Sequence, residues 1–274
     1  MSSKPINMVF PWLYFPPTNL EPKTGHIYNP KMQVITIKSQ HMDFHRFHET
    51  WYHQLHHQIR HLTEAPRPPT TDDHRDQLTL HINKLMFHFS EYYRVKSLAA
   101  NQDVLSIFCA RWASTLERSL FWIAGWRPTT AFHLIYTESS VLFESRMVDI
   151  LHGIHTGDLG DLSPAQFTRV SEIQCETVQQ ENAVTNQLSE WQDEACDILG
   201  GTCVDKKIER LVKIMEKADE LRLKTLKAVV ELLTPQQAAE FLIAAAQLHF
   251  GIHRWGLNHD RDRERERDRG RSEK

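Results

Sequence analysis

The sequence has few of the features that mark an enzyme, a secreted protein or a membrane protein. Its 274 residues include four cysteines, Cys109, Cys175, Cys196 and Cys203, and no two of them have CxxC spacing. No apolar run approaches the roughly 20 residues that cross a bilayer, and the N-terminus has no continuous apolar segment before a cleavage site. We therefore expect reduced cysteines, buried as small apolar residues, in a cytosolic or nuclear protein that reaches membranes only through partners.

The chain also lacks an excess of charge of either sign. Lys and Arg number 32 against 35 for Asp and Glu, which gives a formal net charge of −3. Because the positive and negative charges nearly cancel, the chain has no strong overall attraction to nucleic acid or to an anionic membrane. The N-terminal region has scattered lysines but no basic region followed by heptads, so we do not expect direct DNA binding.

Catalytic motifs are absent as well. The sequence contains no GxSxG, no HExxH, no phosphate-binding glycine loop before a lysine, and no spacing that indicates a His, Asp and Ser cluster. We expect Glu144, Asp149 and Glu176 to be charges on helix surfaces rather than an acid and base pair. The prediction is a protein that is not an enzyme.

Proline and charge divide the chain into one domain and two tails. Residues 1–40 carry half of the 12 prolines, which excludes a long helix and favours a flexible arm. Within this arm, Trp12, Tyr14 and Phe15 are candidates for docking onto a partner, and packing on the protein's own surface explains them equally well. Residues 259–274, HDRDRERERDRGRSEK, have too little apolar content to fold alone and are predicted to be a disordered tail of nearly balanced charge.

Between the tails, residues 41–258 have apolar residues at helical spacing. We predict an all-α bundle of about seven helices with long antiparallel pairs, one of them joined by a turn at Gly200-Gly201. The predicted helices span about 41–65, 74–98, 103–124, 132–151 and 164–199, followed by one that includes 208–218 and one that begins at Pro235.

Local signals mark several ends of these helices. Residues 163–166 (SPAQ) and 234–237 (TPQQ) both place a hydroxyl cap first, then proline at the first helical position and glutamine at the third. Both segments therefore predict helix starts. Gly153, Gly157 and Gly160 follow the fourth predicted helix and suit left-handed turn conformations.

Two groups of histidines are candidate ligands. His53, His57 and His61 share one helix face, and two of them have the spacing to hold a divalent metal ion. Because the spacing supplies no carboxylate or thiolate partner, a solvated polar face is the interpretation that we favour, and we predict no dedicated metal site. His249 and His253 lie on an apolar helix and are candidates for binding haem or a metal ion. They project from one helix face, so they do not supply both axial ligands of one haem, and a purely structural role is the alternative.

Three segments in order carry a family resemblance. They are RWASTLERSLFWIAGWRPTTAF (111–132), LSPAQFTRVSEIQCETVQQENAVTNQLSEWQDE (162–194) and LTPQQAAEFLIAAAQLHFGIHRWG (233–256). Together they resemble the plant DELAY OF GERMINATION domain, which also forms the C-terminal half of the TGACG-binding basic leucine zipper factors. The resemblance covers about residues 41–258 and implies a helical domain that binds regulatory proteins, in a family associated with transcription regulation and sequence-specific DNA binding. Without a zipper or basic region, this chain is expected to be a stand-alone domain.

One further segment is similar to a particular branch of that family. HLIYTESSVLFESRMVDILHGIHTGDLGDLSPAQF (133–167) looks most like the inaperturate pollen branch, which marks plasma-membrane sites where pollen exine is not deposited. This resemblance implies an adaptor in the cytoplasm of developing pollen that recruits partners to patches of plasma membrane. One alternative is a nuclear transcriptional co-regulator that dimerises with family members. The other, implied by a more distant resemblance to the seed-dormancy branch, is a haem-responsive regulator of type 2C phosphatases, and it rests on His249 and His253.

Overall fold

The computed structural model describes residues 43–194 and 204–272. These residues form eight α-helices and one short 3-10 helix, and they include no β-strand. The helices are α1 (Phe44–Glu64), α2 (Asp72–Phe108), α3 (Thr115–Leu120), α4 (Thr130–Ser145), α5 (Met147–Leu151), the 3-10 helix (Leu159–Asp161), α6 (Pro164–Asp193), α7 (Val204–Leu232) and α8 (Pro235–Ser272). This architecture confirms the predicted all-α bundle.

Some of the sequence predictions concern residues outside the described part of the chain. These are the proline-rich arm with Trp12, Tyr14 and Phe15, the turn at Gly200-Gly201, and the two cysteines Cys196 and Cys203. They stay predictions.

The long helices α6 and α7 pack as an antiparallel pair. The indole nitrogen of Trp191 donates to the carbonyl of Lys207 at 2.8 Å, near the end of α6 and the start of α7. Farther along, the Lys224 ammonium donates to the Gln180 side chain at 3.1 Å. Contacts that move backwards on α6 as they move forwards on α7 require opposite helix directions. This confirms the long antiparallel pair predicted from apolar spacing.

The two predicted helix starts both form capping boxes. Ser163 Oγ accepts from the Gln166 amide at 3.2 Å, and Gln166 Oε1 accepts from the Ser163 amide at 3.0 Å. Thr234 and Gln237 exchange the same two bonds at 3.3 and 3.1 Å. Each box satisfies amide donors that have no partner inside the helix, which explains why α6 and α8 begin where the sequence predicts.

The predicted helix start at Asp103 is present as a kink within one long helix, whereas the predicted helix ends at 98 and 124 are wrong. The helix α2 continues to Phe108 with a kink at Asp103 (φ −150°, ψ 83°), where the Asp103 carboxylate caps the amide of Ser106 at 3.0 Å. The predicted helix over 103–124 therefore does not exist as one element. Ala110 turns the chain with a positive φ of 48°, and Ser114 starts the separate short helix α3. Internal caps at Asp103 and Ser114 outweigh the continuous apolar spacing.

The C-terminal charged segment also differs from its prediction. We predicted a disordered tail over residues 259–274, but α8 continues through this segment to Ser272. The Asp260 carboxylate accepts from the Thr115 amide at 2.9 Å, which ties the start of the segment to α3. Farther on, Arg265 pairs with Asp262 at 3.4 Å. Arginine and acidic residues three positions apart support a helix even where no apolar core is buried.

The glycines after α5 serve two different purposes. Gly153 (φ 77°) and Gly157 (φ 68°) adopt the predicted left-handed conformation. Gly160 instead lies in the 3-10 helix, where an added Cβ would stand 2.8 Å from the backbone nitrogen of Phe143. At this position glycine permits close backbone approach rather than an unusual turn.

The surface holds side chains that we predicted to be buried. Cys109 and Cys175 are free and exposed, so the prediction of buried cysteines is wrong for both. Cys109 caps the C-terminus of α2, and Cys175 lies on α6 between the buried residues Ile173 and Thr177 but on the opposite face.

Within 43–194 and 204–272, no helix combines the length and the apolar character needed to cross a bilayer.

Candidate functional site

The loop over residues 122–129, between α3 and α4, has a strained backbone and is called the motif loop below. Ile123 (φ 47°) and Ala124 (φ 55°) are consecutive non-glycine residues in the left-handed region. This conformation costs on the order of 1–3 kcal/mol for each residue and persists only where the surroundings enforce it. The Trp122 amide donates to the Gly125 carbonyl at 2.7 Å and closes the turn.

Three buried charged side chains enforce this conformation. Lys96 on α2 donates to the Ala124 carbonyl at 2.8 Å and to Asp219 on α7 at 3.0 Å. Arg222, one turn beyond Asp219, pairs with it and donates to the carbonyls of Trp122, Ile123 and Trp126. Burial lowers the pKa of Lys96 to about 8, although Asp219 opposes that shift. We call Lys96, Asp219 and Arg222 the charge clamp.

The motif loop approaches the charge clamp so closely that only glycine fits at its centre. A Cβ on Gly125 would lie 2.8 Å from the guanidinium carbon of Arg222. The same guanidinium lies 5.3 Å from the ring centroid of Trp122, within cation–π range. These contacts give a physical reason for the glycine and the first tryptophan of the segment WIAGWRP (122–128).

The far end of the motif loop is held by α6. The buried carboxylate of Glu181 accepts from the Thr129 amide at 2.6 Å and from Arg127 Nε at 2.8 Å. Thr129 precedes the first residue of α4, so Glu181 fixes where that helix starts. The indole of Trp126 donates to the Tyr93 hydroxyl at 2.8 Å. All of these polar groups are used in holding the fold.

A second buried polar cluster joins α3 to α8. Glu117 accepts from the amide and the hydroxyl of Ser114 at 2.8 and 2.7 Å, as part of a capping box. The same carboxylate lies 2.9 Å from Nδ1 of His253. Burial alone would raise the pKa of Glu117, but the hydrogen bonds from His253 and Ser114 outweigh it and lower the pKa to about 2. Glu117 is therefore a buried carboxylate that stays ionised.

Two further histidines lie beside this cluster and stay neutral. Burial lowers the pKa of His249 to about 4. On α1, burial and the neighbouring His249 lower the pKa of His48 to about 3. The ring of Tyr52 contacts three of the imidazoles, with centroid distances of 4.5 Å to His253, 5.6 Å to His249 and 6.2 Å to His48. We call Glu117 and these three histidines the histidine cluster.

Comparison with known proteins identifies the family. The DOG1 family model, described as seed dormancy control, matches residues 57–137. Protein DOG1-like 4 of Arabidopsis thaliana is 30% identical over 232 residues, which cover 78% of this chain and 91% of that protein. The chain belongs to the DOG1 family. Protein DOG1-like 3 of the same plant is 29% identical over 64% of this chain and 70% of its own length.

More distant relatives of this DOG1-family chain include transcription factors. Transcription factor TGA5 of Arabidopsis thaliana is 24% identical over 71% of this chain and 57% of its own length. The resemblance noted from the sequence is therefore confirmed at the level of the family. The relatives named here are regulatory proteins rather than enzymes.

In this DOG1-family protein, some of the groups around His249 and His253 favour the binding of haem or a metal ion, and others oppose it. The Nε2 atom of His249 is buried without a hydrogen-bond partner, and Nδ1 of His253 faces a carboxylate, the usual partner of a ligating imidazole. However, the rings of Trp51, Tyr52 and Phe250 enclose His249 at centroid distances of 6.5, 5.6 and 6.1 Å. This packing leaves no place for a haem plane against His249, so the site as folded does not fit haem.

Sequence reasoning missed most of the histidine cluster. The spacing of Ser114 and Glu117 is that of a capping box, and it would have shown α3 as a separate helix. His48 and Tyr52 had no such signal, because they lie on α1, far along the chain from α8, and only tertiary packing brings them to His253. The exposed positions of His53, His57 and His61 agree with the predicted polar face of α1.

Replacing Gly256 by alanine should disturb the histidine cluster. A Cβ at this position of α8 would lie 2.7 Å from Cβ of Ser114, so α3 has to move away from α8. We expect Gly256→Ala to lower the free energy of unfolding by about 1–3 kcal/mol, as overpacking does. Denaturant titration measures the change.

Gly270 offers a matched control on the same helix. A Cβ there meets nothing within 4 Å, so Gly270→Ala should leave stability unchanged or raise it by up to about 1 kcal/mol through helix propensity. Equal destabilisation by the two substitutions would contradict the close approach of α3 and α8 at Gly256.

Proposed function

We propose that this DOG1-family protein is a non-enzymatic adaptor in pollen aperture formation, which recruits partners to domains of the plasma membrane and so patterns the pollen wall. One observation carries the proposal. The segment over 133–167, which resembles the inaperturate pollen branch, presents a series of apolar side chains to solvent. An adaptor needs a binding surface and no reaction centre, and this segment supplies such a surface.

The surface lies on α4, α5 and the turn that follows. Its members are exposed large apolar side chains, with exposed fractions of 43–66%: Val141, Phe143, Met147, Val148 and Ile154. We call this set the apolar α4–α5 surface. Contiguous exposed apolar patches mark protein-binding sites, and we propose that these side chains contribute to one. By contrast, the buried ionisable groups of the charge clamp are taken up by internal contacts, which favours docking over catalysis.

Substitutions on the apolar α4–α5 surface test the proposal. We expect the double variant Phe143→Ser with Val148→Ser to fold normally but to lose plasma-membrane spots in tetrad-stage microspores and to fail to restore apertures in pollen that lacks the protein. The matched control is Leu80→Ser, because Leu80 is a comparably exposed apolar residue on α2. Full restoration of apertures by the double variant would exclude this surface.

The N-terminal arm is a second candidate contact. Trp12, Tyr14 and Phe15 lie outside the described residues, and the proposal for them rests on their aromatic character alone. Alanine at all three positions should reduce capture of partners if the arm docks. Unchanged capture would remove the arm from the mechanism and leave the apolar α4–α5 surface as the candidate.

A nuclear transcriptional co-regulator is the second candidate function, and the similarity to Transcription factor TGA5 favours it. In this role the protein would pair with zipper proteins of its family rather than contact DNA itself. A fluorescent fusion in tetrad-stage microspores separates the two functions. Spots at the plasma membrane support the adaptor, whereas accumulation confined to nuclei supports the co-regulator.

A haem-responsive regulator of type 2C phosphatases is the third candidate, and the unpartnered Nε2 of His249 is the observation in its favour. Binding would require the aromatic rings around His249 to separate. Titration of the protein with haem, followed by absorption, tests this role. A haem spectrum that is the same in wild type and in His249→Ala would exclude ligation by His249.

A further inference from the structure

The histidines His57 and His61, one turn apart on α1, hold two ring nitrogens at a separation that suits a metal ion. Their Nε2 atoms lie 3.3 Å apart. Two nitrogens bound tetrahedrally at about 2.0–2.1 Å from Zn²⁺ are themselves about 3.3–3.4 Å apart. We propose that His57 and His61 chelate a divalent transition-metal ion on the surface of α1, at a site separate from the histidine cluster.

The surroundings of this pair supply further polar groups. His57 and His61 line a cavity of about 720 Å³ between α1 and α2, together with Gln58, His81, Asn83, Lys84 and Phe87. The Oε1 atom of Gln58 is buried without a hydrogen-bond partner. The imidazole of His81 stacks on His61 at a centroid distance of 6.0 Å and an angle of 12°. These groups make the surroundings of the pair polar, and the ion itself would be held by His57 and His61.

The second ring nitrogen of His61 faces a carboxylate. Its Nδ1 atom lies 3.9 Å from Glu64 on the next turn of α1. Imidazoles that bind a metal through one nitrogen usually direct the other nitrogen to a carboxylate, which orients the ring and strengthens it as a ligand. The sequence order His57, His61, Glu64 places all three on one side of α1, with Glu64 at ion-pair distance from His61 rather than at hydrogen-bond distance.

The donor set defines the class of metal. Imidazole nitrogens suit Zn²⁺, Cu²⁺ and Ni²⁺ and do not suit Ca²⁺ or Mg²⁺, which prefer oxygen ligands. Among the described residues, no three His, Cys, Asp or Glu side chains converge as a complete metal site. The site is therefore a two-imidazole chelate completed by water or by a donor from a partner, and its affinity should be weaker than that of a closed structural zinc site.

Calorimetric titration of the full chain with zinc chloride tests the proposal. We expect saturable uptake of Zn²⁺ by the wild type, and at least tenfold weaker binding by His57→Gln and by His61→Gln. The matched control is His74→Gln, because His74 is a half-buried histidine at the start of α2 that lies outside the cavity. Its affinity should equal that of the wild type.

Two results would overturn the proposal. One is the absence of Zn²⁺ uptake by the wild type, which would mean that a shared proton alone explains the 3.3 Å approach. The other is undiminished uptake by the double variant His57→Gln with His61→Gln, which would place the metal elsewhere. X-ray absorption at the zinc edge of the wild type is an independent check, since fewer than two imidazole ligands also contradicts the chelate.

Discussion

Replacing Asp219 by asparagine is expected to lower the free energy of unfolding by about 3–5 kcal/mol, because it leaves two buried cations without their anion. Lys96 and Arg222 are 1% and 0% exposed in their side chains, and both pair with Asp219. Without that carboxylate the two cations keep only the loop carbonyls as partners, so they hold the left-handed backbone at Ile123 and Ala124 less firmly. Urea titration followed by circular dichroism measures the loss.

Two further variants separate this mechanism from general damage. Glu220→Gln, at the exposed neighbouring position on α7, removes the same charge and should leave stability within about 0.5 kcal/mol of the wild type. Adding Lys96→Met to Asp219→Asn removes one uncompensated charge and should restore part of the loss. A loss of less than about 1 kcal/mol in Asp219→Asn would contradict the clamp.

The response of the Asp219→Asn variant to alkali is diagnostic. The pKa of Lys96 is about 8 in the wild type because burial lowers it below its ordinary value. Losing Asp219 removes the group that opposes this shift, so the lysine is neutral at a still lower pH in the folded variant. A folded pKa below the unfolded pKa means that stability rises with pH until the unfolded lysine also loses its proton. The variant should therefore regain stability between neutral pH and pH 10.

Stability should also fall steeply below pH 6.5, by about 2 kcal/mol each for His48 and His249 by pH 5. Their folded pKa values are about 3 and about 4, against 6.5 for the unfolded chain. Because the folded values are the lower ones, the stabilisation is complete above pH 6.5 and is lost as the pH falls towards the folded values. Thermal unfolding followed between pH 7.5 and 5 measures the slope.

Other groups do not reverse this slope. Glu117, with a folded pKa of about 2 against 4.5, contributes stability that is complete above pH 4.5 and is lost only below it. Burial raises the pKa of Glu138 and of Glu240, so these carboxyls favour the folded state as the pH falls. These two carboxyls therefore reduce the loss of stability near pH 5 rather than near pH 6.5.

Single substitutions assign the slope to particular histidines. His249→Gln should remove the contribution of His249 to the pH dependence of stability. The stability of this variant should therefore change less between pH 6.5 and 5 than that of the wild type. His155→Gln is the matched control, because the side chain of His155 is 87% exposed. Its slope should equal that of the wild type. The same slope in His249→Gln would mean that His249 is not a buried neutral histidine.

The elements that sequence predicts best are those controlled by local bonds. The capping boxes at Ser163 and Thr234 involve residues three positions apart, and both helices begin where those boxes predict. The tail after His259 shows the reverse: low apolar content favours disorder, yet Arg265 and Asp262 support a helix through contacts within one turn. Composition averages over such pairs, whereas the helix depends on their spacing.

The sequence by itself determined the helical class, the starts of α6 and α8, and the family, because periodicity, caps and motifs are local. Only the tertiary structure decided what the motif loop and the two buried clusters are. Lys96 and Asp219 are far apart along the chain, as are Glu117 and His253, and their pairing depends on how α2, α3, α7 and α8 pack. A buried charge has no signature in the sequence, since its partner and its loss of solvent both arise only when the helices assemble.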